Sequence, residues 1–301
     1  MQIVFCADPL APRQPDPAYA AEAAAAEQAG LAWGLVQLEE LLAGDERAAV
    51  RKIPAAPEGS APALAVYRGW MLRPDDYARL YAALERRGLR LLNDPAAYRH
   101  CHWFPESYPL IAGQTPASVW MPAAEWSLDA AMERLAPFGD QPLILKDYVK
   151  SRKHEWHEAC FIPAASDRAA VGRVSATFLE RQGADLNEGL VYRAFVEFAP
   201  LGAHPQSGMP LTREFRQFYL DGAPLLSFPY WESGDYAGAA PPASQWAEIA
   251  AGIRSRFWTM DVAQLASGAW QIVELGDGQV AGLPDHADPA ALYRGLAGVV
   301  G

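Results

Sequence analysis

Phe257-Trp258-Thr259-Met260-Asp261-Val262 and Trp270-Gln271-Ile272-Val273-Glu274-Leu275, the second running into Gly276-Asp277-Gly278, are the stretches on which the reading of this chain turns. Both runs are short, apolar and rich in aromatic and β-branched residues, which marks them as strands. Ala266-Ser267-Gly268-Ala269 joins residues 257–265 to 270–275 as a hairpin. Each strand carries one carboxylate, and a carboxylate set in an apolar strand is costly unless a positive group neutralises it. Asp277 follows in a turn whose glycines allow close backbone approach. Asp261, Glu274 and Asp277 converging from a hairpin form a hard oxygen-ligand set suited to Mg²⁺ bridging phosphates. The spacing leaves a second reading open, in which Asp261 and Glu274 lie on the solvent face of alternating strands.

Upstream of the hairpin, residues 213–221 and 223–230 read as two strands joined at the tight turn Asp221-Gly222. In the first, alternation puts Arg213, Phe215, Gln217 and Tyr219 on one face and Glu214, Arg216 and Phe218 on the other. An arginine beside a carboxylate is often a structural ion pair, and it is also what holds a phosphoryl oxygen in two-pronged fashion. Residues 190–198, 142–146 and 156–162 are further expected strands, with helices at 127–135 and 166–182. This half is α+β with antiparallel hairpins.

The first 94 residues follow another pattern. Strands are expected at residues 2–7, 33–38, 63–67 and 89–92. Between them lie a helix opened by Asp16-Pro17 and closed near Gly30, and one from Pro74 to about Arg87 closed by Gly88. Alternating strands and helices indicate a small α/β domain with a largely parallel sheet, ending near Asn93. Arg68, at the end of its third strand, stands where such sheets hold ligands, and it is read either as a substrate-carboxylate contact or as structural.

Composition narrows the function classes. A net charge of −11 argues against a general nucleic-acid or membrane-surface binder, and no apolar run is long enough to suggest a membrane span. Residues 1–5 read as a first strand and not as a secretion signal. The three cysteines, Cys6, Cys101 and Cys160, form no disulfide framework or zinc pattern, so a reducing cytoplasm is expected. His100-Cys101-His102 and His154-x-x-His157 match no standard zinc spacing either and are read as structural or surface residues. Only four of the 25 basic residues are lysines, and three of them, Lys146, Lys150 and Lys153, fall together. That cluster is either a basic surface loop or a site that needs compact ammonium groups.

The order of these features resembles the ATP-grasp superfamily. A strand ends in lysine (Leu143-Ile144-Leu145-Lys146), a long strand ends in Glu197, and then come Glu214-Phe215-Arg216, Asp261 and Glu274-Leu275-Gly276-Asp277-Gly278. More narrowly, the chain is similar to the divergent clade of bacterial and phage proteins related to a eukaryotic cell-division-cycle protein, which helps assemble translation initiation factor two. That similarity rests on Glu-Phe-Arg followed by Ser227-Phe228-Pro229-Tyr230-Trp231-Glu232, on Tyr67-Arg68-Gly69-Trp70 and on Lys146-Asp147-Tyr148-Val149-Lys150-Ser151. It covers most of residues 63–284.

The resemblance implies a pre-ATP-grasp α/β domain at 1–94 and a two-subdomain ATP-grasp fold at 95–301, divided into about 95–198 and 199–301. It implies ATP and Mg²⁺ as cofactors, and a carboxylate–amine ligase that forms an acyl phosphate and then an amide on a small molecule, peptide or protein. The rivals it leaves are an ATP-binding assembly factor with little turnover and a small-molecule kinase. By the same resemblance Lys146 contacts the α- and β-phosphates, and Glu197 and the backbone near Phe198 hold the adenine edge. Arg216 faces the γ-phosphate or acyl phosphate, Asp261, Glu274 and Asp277 bind magnesium, and Arg99 is a further phosphate contact. Gly276 stands where the family's Glu-x-Asn motif has asparagine, so Asp277 is expected to supply the third ligand. Lys150-Ser151-Arg152-Lys153-His154 replaces the usual glycine-rich lid, so Lys150 and Lys153 are expected to hold phosphates or an acidic substrate.

Overall fold

A computed structural model describes residues 1–57, 59–203, 210–232, 234–236 and 238–299. The N-terminal strands form where the apolar runs predict them: β1 (Gln2–Cys6), β2 (Ala32–Val36), β3 (Ala63–Arg68) and β4 (Leu89–Leu91). They pair in parallel in the order β2-β1-β3-β4. The first helix starts as predicted: the Asp16 side chain accepts from the Ala18 backbone N–H ahead of a 3-10 turn that leads into the helix Ala20–Gln28. The helix Pro74–Glu85 closes at Gly88, which adopts φ +73°.

The second sheet consists of β5 (Ser118–Pro122), β6 (Leu143–Asp147), β7 (Phe161–Ile162) and β8 (Gly189–Ala194), all antiparallel in the order β5-β8-β6-β7. Leu143 and Leu145 of β6, with Leu190 and Tyr192 of β8, pack against the helices Leu128–Leu135 and Arg168–Gln182. Strand alternation therefore turns Ile144, Lys146, Val191 and Arg193 to the opposite face. A hairpin of β9 (Pro200–Ala203) and β10 (Pro210–Thr212) follows.

The last sheet has the order β12-β11-β13-β14, from β11 (Glu214–Leu220), β12 (Ala223–Pro229), β13 (Phe257–Gln264) and β14 (Trp270–Asp277). The expected turn between β11 and β12 has positive φ at both Asp221 and Gly222, the two-residue hairpin geometry. One face buries Phe215, Tyr219, Trp258, Met260, Val262, Ile272 and Leu275 under the helices Phe104–Ile111 and Ala247–Gly252. At one end of the other face, Phe218 and Phe257 join Ile3 and Phe5 of β1 and Leu292, Tyr293 and Leu296 of the helix Pro289–Ala297 in one core cluster. The chain thus returns at its end to the sheet with which it began.

Two expected strands are shorter than predicted. Residues 156–162 were expected to be one strand, yet Trp156–Ala159 is a single helical turn and only Phe161–Ile162 pairs. Trp156 stacks on Phe161 in this arrangement, with ring centroids 5.4 Å apart, while His157 and Glu158 stay in solvent. β8 stops at Ala194, and residues 195–197 run on as irregular chain to a bridge between Phe198 and Leu265. Among the described residues no helix is long and apolar enough to cross a membrane.

Candidate functional site

Arg216, Asp261 and Glu274 stand in a row across three neighbouring strands. The register pairs Arg216 with Asp261 and Asp261 with Glu274, so the three share one face of the sheet. Plain alternation from Ile272 would send Glu274 into the core with it. Val262 pairs with Ile272 while Asp261 pairs with Glu274, so Val273 is an extra residue on β14, and this bulge turns Glu274 to the face of Asp261. Arg216 grips Asp261 with two hydrogen bonds, 2.8 Å from Nε to Oδ1 and 2.7 Å from Nη2 to Oδ2. From the facing sheet, Lys146 Nζ donates to Glu274 Oε2 at 2.8 Å. The polar strip therefore spans the gap between the second and last sheets.

Further charges crowd the same gap. The Tyr230 ring lies 4.9 Å from the Arg216 guanidinium carbon and 5.9 Å from Lys153 Nζ. Arg193, buried beneath the strip, donates to the carbonyls of Val273 and Ile272 and to Thr115 Oγ1. Burial lowers its pKa to about 10. Glu214 is buried two residues from Arg216 on the same face. Burial pushes its carboxyl well above the usual range, Lys153 pulls it back, and the neighbouring Asp261 and Glu274 add to the rise. For Glu274 burial is outweighed by Lys146, with Lys153 and Arg216 adding, so this carboxyl is held well below its ordinary value. For Asp261 burial prevails over Arg216, and its carboxyl is raised. Burial disfavours the charge of Lys153 as well, but Glu214, Tyr230, Glu274 and Asp261 together hold its ammonium charged.

Two cavities border the strip, and a third adjoins the smaller of them. The first, about 470 Å³, lies between the two sheets, with largely apolar walls that include Ile144, Trp156, Phe195, Phe198 and Leu211. Lys146, Lys153, Arg193, Glu214 and Glu274 border it. The second, about 60 Å³, is enclosed by Lys146, Arg216, Asp261, Glu274, His102 and Phe104, among others. The third, about 430 Å³, is polar and borders Arg73, His102, Lys150, Arg152, His154 and Asn187. Lys146 and Glu274 belong to the first two cavities, while Met71, His102 and Val149 belong to the last two. The small cavity is the junction.

The structure gathers most of the residues singled out in the sequence. Lys146, Lys153, Glu197 and Phe198 line the 470 Å³ cavity, the last two from the irregular segment that connects the sheets. Arg216, Asp261 and Glu274 line the junction. Lys150 instead lines the 430 Å³ cavity, at a turn fixed by Asp147, whose buried carboxylate accepts from the backbone N–H groups of Val149, Lys150 and Asn187 and from the side chains of Gln182 and Asn187. The expected basic lid thus starts from a turn built on one aspartate.

Three expectations need correction. Asp277 borders the small cavity, but it pairs with Trp258 on the face opposite Glu274, and its carboxylate accepts from Asn93 Nδ2 at 2.6 Å and from the Gln279 backbone at 2.9 Å. Three residues apart on a strand, Glu274 and Asp277 cannot share a face. Among the described residues no group of three or more His, Cys, Asp or Glu side chains forms a metal-binding cluster. Arg99 lies outside the three cavities and pairs with Glu106 at 3.2 Å. Arg68 is not a substrate contact, because its guanidinium is fully buried and spent on both oxygens of Glu22 and on the carbonyls of Gly278 and Ala281.

Arg193 was given no role in the sequence, Glu214 and Tyr230 stood there only as parts of motifs, and His102 was read as structural or surface. Arg193 carried a legible signal, since a lone arginine in Leu190-Val191-Tyr192-Arg193-Ala194 is as anomalous as Asp261 in its strand. His102 stood out only within His100-Cys101-His102, and it reaches the junction from the helix Pro95–His102, which was not predicted.

With this geometry in view, the comparisons with known proteins agree. A family model for an ATP-grasp domain, family 3 of its clade, matches residues 137–296. No curated protein sequence matches. Solved structures similar in fold include D-cycloserine synthetase DcsG, 14% identical with a TM-score of 0.58 over 99% of each chain. The D-alanine–D-alanine ligase from Coxiella burnetii is 11% identical with a TM-score of 0.59, over 98% of this chain and 94% of that one. The ATP-grasp ligase PsnB, complexed with its minimal precursor, Mg and ADP, is 14% identical with a TM-score of 0.53, over 98% and 95%. Such identities show the fold alone, whereas the family model spans just over half of the 301 residues and takes in every strand that lines the junction. The chain therefore belongs to the ATP-grasp domains, in the clade family that this model describes.

Proposed function

We propose that this protein is an ATP-dependent carboxylate–amine ligase. The observation that carries the reading is the strip Arg216–Asp261–Glu274–Lys146, which borders an apolar cavity large enough for a nucleotide and a small junction that adjoins a separate polar cavity. In this reading the base of ATP occupies the 470 Å³ cavity beside Glu197 and Phe198, and its phosphates run toward Lys146, Lys153 and Arg193. Arg216 meets the transferred phosphoryl group, where its planar fork stabilises charge moving onto a substrate carboxylate. Residues 95–198 and 199–301 clasp the nucleotide, and residues 1–94 complete the substrate side.

The residues also suit Mg²⁺. Asp261 and Glu274 are hard oxygen donors facing one another, each now held by a cation that a metal would relieve. The neighbouring Gly276 offers no donor, and a Cβ there would come 2.7 Å from Thr259 Oγ1. Asp261 and Glu274 would thus hold the ion, with phosphate and water completing its shell, and when bound it neutralises phosphate charge and orients the phosphates.

The test is ADP release measured against amino acids, peptides and polyamines, with mass spectrometry on the products. An amide product and ADP release proportional to the acceptor support the ligase. Nucleotide binding without acceptor-dependent release would mark an assembly factor, and a stable phosphorylated product a kinase. Glu274→Gln should lower Mg²⁺-dependent turnover about a hundredfold or more, with a melting temperature near wild type. Undiminished turnover in that variant would remove Glu274 from the site.

A further inference from the structure

The 430 Å³ cavity opens onto the phosphoryl end of the proposed ATP site, through Met71, His102 and Val149, and shares Ser151 with the nucleotide cavity. Its volume suits a small molecule or the end of a peptide. Its charge is lopsided for a protein whose net charge is −11. Arg73, Lys150 and Arg152 border it against a single carboxylate, Asp185. Two of these cations are already committed. Arg73 donates to the carbonyl of Ala184, and Arg152 to Glu155 and Gln182. Lys150 is different, because its ammonium has no side-chain partner among the described residues. Its backbone, however, is pinned by Asp147 on both sides: the Lys150 N–H donates to the carboxylate, and its carbonyl accepts from the Asp147 N–H at 2.8 Å.

A second group at this cavity also lacks a partner. His102 is only 6% exposed and stands at the neck between the junction and the polar cavity. Its ring stacks on Tyr98 with centroids 4.8 Å apart, and Tyr98 is fixed by hydrogen bonds to both backbone groups of Leu72. No protein group bonds its ring nitrogens among the described residues. Its ring nitrogens are not sealed in the core, so an imidazole held by stacking at a cavity neck is open to a ligand. Burial, together with Lys150 and Lys146, lowers its pKa to about 3, which leaves a neutral ring with one donor and one acceptor.

We infer that this cavity takes the carboxylate substrate, and that this substrate bears a second acidic group, held by Lys150 while its reacting end meets His102. Acidic amino acids and peptides ending in them are the simplest members of the class. The inference rests on the ligase reading and adds to it the chemistry of the substrate. The turn fixes where the Lys150 stem leaves the backbone, and its exposed ammonium is free to swing to an acidic group in the cavity. The committed arginines keep the surroundings positive without competing for the same contact.

The experiment uses the full chain. Isothermal titration with Mg·ATP comes first, and absence of nucleotide binding brings down the ligase reading itself. ADP release is then measured with L-glutamate against L-glutamine, L-aspartate against L-asparagine, and dipeptides ending in each. At least one acidic member should exceed its amide partner by about tenfold or more in kcat/KM, the scale of one charge-assisted contact. Lys150→Met should erase that preference through KM for the acid, Lys150→Arg should restore part of it, and KM for ATP should stay within about threefold in both. With ATP binding intact, equal use of acids and amides, or no turnover with any acidic member, overturns the inference. So does a Lys150→Met variant whose loss falls on ATP instead.

Discussion

Asp277 shows how one carboxylate can be well placed in a sequence and differently employed in the fold. It is fully enclosed, with Asn93 and Gln279 as its partners, and burial lifts its carboxyl to about 7 from an ordinary 3.8. The folded protein therefore binds a proton here that the unfolded chain has already released above its ordinary pKa. Stability from this group is complete below that pKa and is lost as pH rises through about 7. Asp277→Asn removes the titration, so urea unfolding across this range should show a shallower decline toward neutral pH than wild type. The same variant should keep ADP release within about threefold, because the Asp277 side chain is held by Asn93 and Gln279 on the sheet face opposite Glu274. A folded Asp277→Asn protein without turnover would return this carboxylate to the metal site. Gly276 fits the same picture. A Cβ at this position would come 2.7 Å from Thr259 Oγ1, so the asparagine of the family motif would require that threonine side chain to shift.

The turn at residues 147–151 is the element that joins the two larger cavities, since Ser151 lines both and Lys150 lines the polar one. Five donors converge on the Asp147 carboxylate. Asp147→Asn would keep one acceptor oxygen for the turn but set an amide N–H against the donors of Gln182 and Asn187. It should destabilise the fold by about 1–3 kcal/mol, the cost of buried donors left unpaired. Thermal unfolding gives the stability term, and initial rates should show KM rising for ATP and for substrate together. An unchanged melting temperature would mean that the turn is held elsewhere. Legibility in the sequence followed the same division between local and distant causes. The four parallel strands and the helices at Asp16 and Pro74 could be read because caps, glycines and apolar runs sit within a few residues of one another. The helices Pro95–His102 and Phe104–Ile111 escaped, because their faces are chosen by contacts with the last sheet, and Pro109 inside the second argued against any helix. At the site, Lys146, Arg216, Asp261 and Glu274 announced themselves as charges in apolar strands. The bulge that aligns Glu274 with Asp261, and the unpredicted helix that delivers His102, carried no local signal.

At the scale of the molecule, the buried cluster of Arg68, Glu22 and Tyr293 ties the N-terminal sheet to the end of the chain. Arg68 contacts both Glu22 oxygens at 2.8 Å and the carbonyls of Gly278 and Ala281, while the Tyr293 hydroxyl donates to Glu22 at 2.6 Å. One guanidinium thus joins β3, the helix Ala20–Gln28 and the segment that follows β14, with Tyr293 of the last helix bound through Glu22. Removing only the arginine leaves a buried carboxylate without its counter-charge, which costs about 3–5 kcal/mol. Arg68→Met should therefore lower the melting temperature sharply and open the C-terminal helix to limited proteolysis before the rest unfolds. The double variant Arg68→Met with Glu22→Gln should recover part of that loss, since no charge is then stranded in the core. Neither variant should change the affinity for Mg·ATP below its melting temperature, because Arg68 borders none of the three cavities. Weaker nucleotide binding in a still-folded Arg68→Met protein would instead give this residue a part in the site, and a single variant as stable as wild type would show that the N-terminal sheet and the last helix are held together by their apolar contacts alone.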